Sequence, residues 1–502
     1  MLDAKSHRAT EAESLWCAAE YSRCLEALSL QPPGAPRYLL AAKCYDRLRR
    51  YDRALAVLRE GAAYFSGHSE LEAAALAAKF TASLGDAEAN RYFLGMLEAA
   101  PAATLPSRLR ATIVLAQASC AWMRGDLIEA EALVASVQVA ADYHVAAEAK
   151  FVRSWIRWSR GKTVEQASLL SEALELLGRA ETRDVGLIAR CAYALAAIAR
   201  EYHLPRCNAL LADTLKTLAW TQDLAVEHFQ ALRLLAWSQA LQAGYIPAIR
   251  HLHAARAVAP SPYFEVLSRF DRAWVSRIAG ERASYEAEAL GAAEQALSLD
   301  WTAPSGEEST TLLVGAEMVA SIDASIAEAL LARYEDASRH VARTMAIRHD
   351  PKVAALAHVA AAAVAAAKSD VNALRHHAKA AFDTYDGLGV AWRAAWCALL
   401  LYRAGCGDEW LAVARTNIAD YPRSFIATEL RRFDGQRSRV RTSDLTTRQR
   451  EIFDLLMDGL SIDDVATRLI CSRNTVRIHV GAIYRKFGVR NRVELLTQVP
   501  AG

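Results

Sequence analysis

Along most of the chain apolar residues recur every three to four positions, and runs alternating between apolar and polar are nearly absent. That periodicity lays one face of an α-helix against a core, so it predicts helix after helix and no sheet. Only 13 Pro and 23 Gly interrupt the 502 residues, so few positions break helices. The helices also repeat. In LLAAKCYDRLRRYDRALAVLREG a small residue and an aromatic share one helix, a short turn follows, and A-x-x-x-L opens the next. Ala42, Tyr45, Tyr51, Ala54 and Leu58 carry this once; Ala118, Ala121, Gly125, Leu127, Ala130 and Val134 carry it again. A third copy runs Ala236, Gln239, Gly244, Tyr245, Ala248, Leu252, Ala255 and ends at Pro260, with later ones at Tyr334/Ala337/Val341 and Asp370/Ala373/His377.

The small residues opening each second helix fall near 54, 130, 167, 248, 337 and 373. Their gaps fit multiples of about 36–45 residues, the range of two-helix solenoid repeats. Alanine lets the helices of a pair approach closely, while Tyr, Trp and Leu fill the space to the next pair. The pattern resembles the tetratricopeptide repeat family between Glu11 and Pro422; an irregular α-helical array is the other reading. Either one gives a curved scaffold whose concave surface suits a protein, peptide or small-molecule effector.

A chain of this length exceeds a single core, in keeping with a repeat array plus a further module. Charge separates the two. From Arg437 onward there are 12 Lys/Arg and 7 Asp/Glu, a balance of +5, which leaves −3 of the overall +2 on residues 1–436. A basic tail on an acidic body suits a small polyanion-binding module. The expected organisation is a helical-repeat region over 1–430, a basic linker over 431–443 and a compact module over 444–502.

Four capped helices mark that module. Thr446 with Gln449 opens the first, which Gly459 closes; Ser461 with Asp464 opens the second, which ends at Leu469. Ser472 opens the third, closed by Gly488, and Asn491 with Glu494 opens a fourth toward Val499. With only Ile470 and Cys471 between helices two and three, and Ala466 at their crossing, this is a helix-turn-helix. Val476, Val480, Ile483 and Phe487 line one face of helix three. Asn474, Arg477, Ile478, Gly481 and Arg485 line the opposite face, with Thr475, His479 and Lys486 on its flank. Such a helix can enter a major groove and reach base edges.

The stretch LTTRQREIFDLLMDGLSIDDVATRLICSRNTVRIHVGAIYRKFGVRNRVELL resembles the LuxR-type DNA-binding domain of bacterial transcriptional regulators. The likeness rests on Leu445, Thr446, Arg448, Gly459, Val465, Ala466, Leu469, Ser472, Thr475, Val476, His479, Ile483, Lys486, Gly488, Val489, Asn491 and Arg492. The resemblance implies an all-α chain, a repeat array followed by a four-helix module, that regulates transcription by binding double-stranded promoter DNA. It places base reading on Arg477, Ile478 and Gly481, to which the exposed face adds Asn474. It places backbone contacts on Ser472, Thr475, His479, Lys486 and Arg492, joined by the neighbouring Arg473 and Arg485. It also implies a homodimer through the last helix. Gln449 stands where the family usually has Glu, Gly481 removes one reading side chain, and Ile462 replaces a more polar residue.

Other chemistry is thin. Nine cysteines are scattered without a C-x-x-C pair, which argues for a reducing compartment and against a zinc ribbon. No apolar leader opens the sequence, and Val353–Ala367 is too short to span a membrane, so a cytoplasmic, membrane-free protein is expected. Gly161-Lys162-Thr163 looks like the end of a phosphate-binding loop. Ile156 stands where that loop needs glycine, however, and WIRWSR before it reads as helix. His251/His253 and His376/His377 lack carboxylate or cysteine partners at ligand spacing, and Trp155/Trp158 and Trp392/Trp396 read as core stripes. No enzyme, cofactor or metal is expected. The competing functions are an interaction scaffold whose helix-turn-helix grips protein and, more remotely, a nucleotide-dependent regulator.

Overall fold

The computed structural model describes residues 11–101, 104–137, 142–181, 184–201, 207–218, 223–242, 244–301, 306–344, 351–419, 424, 426–431, 445–457, 460–487 and 495. All its regular elements are helical among the described residues, as the periodicity predicts. The chain divides into two units, 1–406 and 407–502. The expected linker lies almost wholly outside the described residues.

After a helix over 11–17 and Tyr21–Ser29, the first unit is a series of helical hairpins. Ala35–Arg47 pairs with Tyr51–Glu60, His68–Ser83 with Ala87–Glu98, and Ser107–Arg124 with Leu127–Ala135. Tyr143–Ser159 pairs with Thr163–Arg179, Val185–Glu201 with Cys207–Leu218, and Ala225–Leu241 with Tyr245–Ala257. Pro262–Ala279 and Arg282–Ser298, Gly306–Val319 and Ala324–Thr344, and Pro351–Ala367 and Val371–Gly387 complete the hairpins before Ala391–Arg403. Successive second helices begin 36 to 47 residues apart.

Most hairpins share a local grammar. Two residues before a second helix the backbone turns left-handed, at Arg49, Gly85, Gly125, Gly161, Gly280 and Ser369 (φ 56° to 85°). Glycine tolerates that conformation without a Cβ clash. Asp86, Asp126 and Asp370 then cap the helix, each carboxylate accepting the N–H three residues on at 2.9–3.0 Å. The fourth residue of the second helix points into the core: Ala54, Ala130, Ala248 and Ala327 are fully buried. Here the sequence reading needs correction. The small residue of the Ala324–Thr344 helix is Ala327, not Ala337, and Gln166 and Leu374 take the inward place assigned to residues 167 and 373.

Gly161-Lys162-Thr163 is one of these repeat turns. The helix Tyr143–Ser159 precedes it, and Gly161 N–H bonds Trp158 O at 2.9 Å, just as Gly125 bonds Trp122. Lys162 pairs with Glu165 on the next helix.

Distant hairpins meet within the first unit. Arg47 reaches Asp184, Arg49 and Arg190 both reach Glu227, and Ser22 reaches Asp223. Trp237 stacks on Trp274 with centroids 3.8 Å apart and lies 6.1 Å from Trp392, while its Nε1 donates to the buried Asp271. Trp392 is buried, whereas Trp155, Trp158 and Trp396 are half-buried. His358 and His377 bring their Nδ1 atoms within 3.0 Å across the hairpin Pro351–Gly387. Among the described residues no helix is long and apolar enough to cross a membrane.

Candidate nucleic-acid interface

The tail helices stand where their caps place them. The first is Thr447–Met457, the second Ile462–Arg468 and the third Arg473–Phe487. At the first, Gln449 N–H donates to Thr446 Oγ1 at 3.3 Å while Thr446 N–H donates to Gln449 Oε1 at 3.2 Å. The second repeats this reciprocal box: Asp464 N–H to Ser461 Oγ at 3.2 Å, and Ser461 N–H to Asp464 Oδ2 at 3.1 Å. The Ser461 hydroxyl, which donates to Asp464 Oδ2 at 2.6 Å, and then the Ser461 N–H hold the Asp464 carboxyl below its ordinary range. The third opens with Thr475 N–H donating to Ser472 Oγ at 3.1 Å. Each cap satisfies backbone donors that would otherwise lack partners.

The three helices close on one core. Ile452, Phe453 and Leu456 from the first meet Val465 and Ala466 from the second and Val476, Val480 and Ile483 from the third. Leu469 and Cys471 pack against its edge, and Leu495 is buried in it. Burying Val476, Val480 and Ile483 turns the opposite side of helix three outward. The fourth helix, Leu495 aside, lies outside the described residues, as do Gly459, Gly488 and Arg492.

Asn474, Arg477, Ile478, Gly481 and Arg485 are all exposed, Ile478 at 64% despite being apolar. They share one strip of helix three, about 100° wide at 3.6 residues per turn. Arg477 makes no hydrogen bond or ion pair among the described residues, so its guanidinium is available to a ligand. Ser472 and Arg473 are exposed, with Thr475 and His479 half-buried on the flank. Two of the expected backbone-contacting residues, Arg473 and Lys486, already hold partners on neighbouring helices. Arg473 Nε lies 2.9 Å from Asp463 Oδ1, and Lys486 Nζ donates to Gln449 Oε1 at 2.9 Å. The amide oxygen of Gln449 thus serves both as cap acceptor and as the anchor of Lys486.

Sequence reasoning missed one feature of the turn. Ile470 adopts φ +51° and is 94% exposed. A β-branched residue in the left-handed region is strained. Arg448 Nη2 donates to the Leu469 carbonyl at 2.9 Å and ties this turn to the first helix.

Residues 443–499 match the family described as "Bacterial regulatory proteins, luxR family". The HTH-type transcriptional regulator MalT of Yersinia pestis (strain Pestoides F) is 36% identical over 59 residues, 12% of this chain and 6% of the relative. MalT of Serratia proteamaculans (strain 568) matches to the same extent. The likeness therefore spans only a small part of the length of these relatives. Two solved structures align more broadly at low identity. The apo form of RapI covers 74% of this chain and 97% of its own, with 12% identity and a TM-score of 0.46. A Rap protein complexed with competence and sporulation factor covers 72% and 99%, with 11% identity and a TM-score of 0.49.

Proposed function

We propose, on the premise that residues 443–499 form a luxR-family helix-turn-helix domain, that this chain is a sequence-specific DNA-binding regulator of transcription. The observation that carries the reading is the exposed strip Asn474–Arg477–Ile478 on a helix whose other face is sealed in a core. Such a helix offers a guanidinium, an amide and an apolar side chain together, the set that distinguishes base pairs in a major groove. Ser472, Thr475 and His479 flank it and contact phosphates, which fix register without reading sequence. The module acts as a homodimer through its last helix on a two-fold symmetric site. The hairpin array receives a protein, peptide or small-molecule effector and controls the head, and the chain performs no catalysis.

Mobility shift of the full chain on promoter-length duplex at rising salt tests this. Binding should weaken linearly on logarithmic axes, with a slope of about −0.9 per phosphate neutralised. If no duplex is bound even at low salt, the module grips protein instead and the chain is an interaction scaffold.

A further inference from the structure

Gly481 interrupts the reading strip in a way that packing does not require. A Cβ built there meets nothing within 4 Å. Glycine inside a helix costs roughly 1 kcal/mol relative to alanine, so helix stability does not call for it either. One turn further on is Arg485, exposed and on the same strip. Side chains on a helix lean toward its N-terminus, so residue 485 covers the turn that residue 481 leaves bare. Arg485 does lean that way: its Nε donates to the Gly481 carbonyl at 3.4 Å. The guanidinium is thereby drawn back along the helix toward Arg477 and Ile478, with no side chain on residue 481 to hold it off.

We infer that Arg485 is a specificity-determining residue, reading the base that a side chain at 481 would otherwise address. Its fork matches O6 and N7 of a guanine, and Nε can leave the weak, solvent-exposed carbonyl bond as the groove closes over it. This assignment rests on the DNA-binding reading and moves Arg485 from the backbone contacts, where sequence placed it, to the base contacts.

Selection of bound duplexes from a randomised pool by the full chain tests it, with wild type, Arg485→Ala and Arg485→Lys in parallel. Wild type should enrich a motif with a guanine beside the position that Arg477 reads. Arg485→Ala should lose preference at that one position and bind the wild-type motif about 5- to 100-fold more weakly. Arg485→Lys should keep a reduced guanine preference. An unchanged motif with equal weakening on all sequences for Arg485→Ala would make Arg485 a phosphate contact and overturn the inference, leaving the DNA-binding reading intact. Failure of wild type to enrich any motif would overturn both.

Discussion

Arg47 and Asp184 stand 137 residues apart in the chain, yet their side chains meet at 2.9 Å with the carboxylate fully buried. Asp184 also lies 3.1 Å from His144 Nε2 and accepts the Leu187 N–H at 2.9 Å. One carboxylate therefore joins three hairpins. Burial alone would raise its pKa, but Arg47, His144 and the Leu187 amide together hold it far below the carboxylate range. Removing only one member leaves a buried charge uncompensated, which typically costs 3–5 kcal/mol. Asp184→Asn should lower the urea-unfolding free energy of the first unit by about that much. A double replacement, Arg47→Met with Asp184→Leu, should cost distinctly less. Equal losses in the two would show that packing volume, not the stranded guanidinium, sets the cost.

The histidines predict opposite pH responses. Burial of His144 favours its neutral form, but the bond to Asp184 and the field of Glu148 outweigh it and raise the pKa above 6.5. The folded state then holds the proton more tightly than the unfolded one. This stabilisation is complete below 6.5 and is lost as pH rises through the raised value. His358 and His377 behave the other way. Burial, then neighbouring histidines, lower both, so their contribution is complete above 6.5 and is lost as pH falls through the lowered values. Thermal melts across pH 5–8 should show His144→Gln flattening the alkaline side and His358→Asn flattening the acid side. Parallel curves for wild type and both variants would remove the histidines from the account.

Gln449 is nearly buried, and its amide oxygen takes hydrogen bonds from Thr446 N–H and Lys486 Nζ. Gln449→Ala deletes the reciprocal cap, a loss of about 0.5–2 kcal/mol, together with the Lys486 bond to the amide oxygen. Gln449→Glu keeps the acceptor geometry and turns the lysine bond, already charge-assisted, into an ion pair, so it should stabilise the head, and less so at high salt. Hydrogen exchange of the amides of Thr447–Met457 in the full chain reports both changes. Faster exchange in the Glu variant would mean that burying the new charge costs more than the pair gains.

These residues also show what a sequence can disclose. Thr446/Gln449 and Ser461/Asp464 were legible because a cap is a bond between residues three apart. The alanines at 54, 130 and 248 were legible because a small residue recurs where two helices cross. The same inward position holds Asn90 and Tyr285 elsewhere, where the repeat could not be read, and Gln166, where it was read one residue off. Asn90 and Tyr285 have their own local solutions: Asn90 donates to Ala78 O at 2.7 Å, and Tyr285 OH bonds the Met318 carbonyl and Ser321. Contacts such as Arg47–Asp184 or Trp237–Trp392 leave no periodic trace, because stacking of several hairpins sets them and no local spacing does.

Arg477 and Ile478 adjoin on helix three but should fail differently when altered. Arg477 carries a charge and a bidentate donor fork, so it attracts any phosphate-rich surface and discriminates only where a guanine meets the fork. Arg477→Ala should cost about 1–3 kcal/mol on the preferred duplex and much less on one mutated at the base it reads. Ile478 has no polar atom to offer, so its exposure is useful only against an apolar group, and in the major groove that group is the thymine methyl. Ile478→Ala should weaken binding without changing the salt dependence, because no counterion release is lost. Replacing the facing thymine by deoxyuridine should reproduce that loss in wild type and add nothing in the variant. Additive losses would place the Ile478 side chain away from the methyl and return it to the solvent-facing side of the helix.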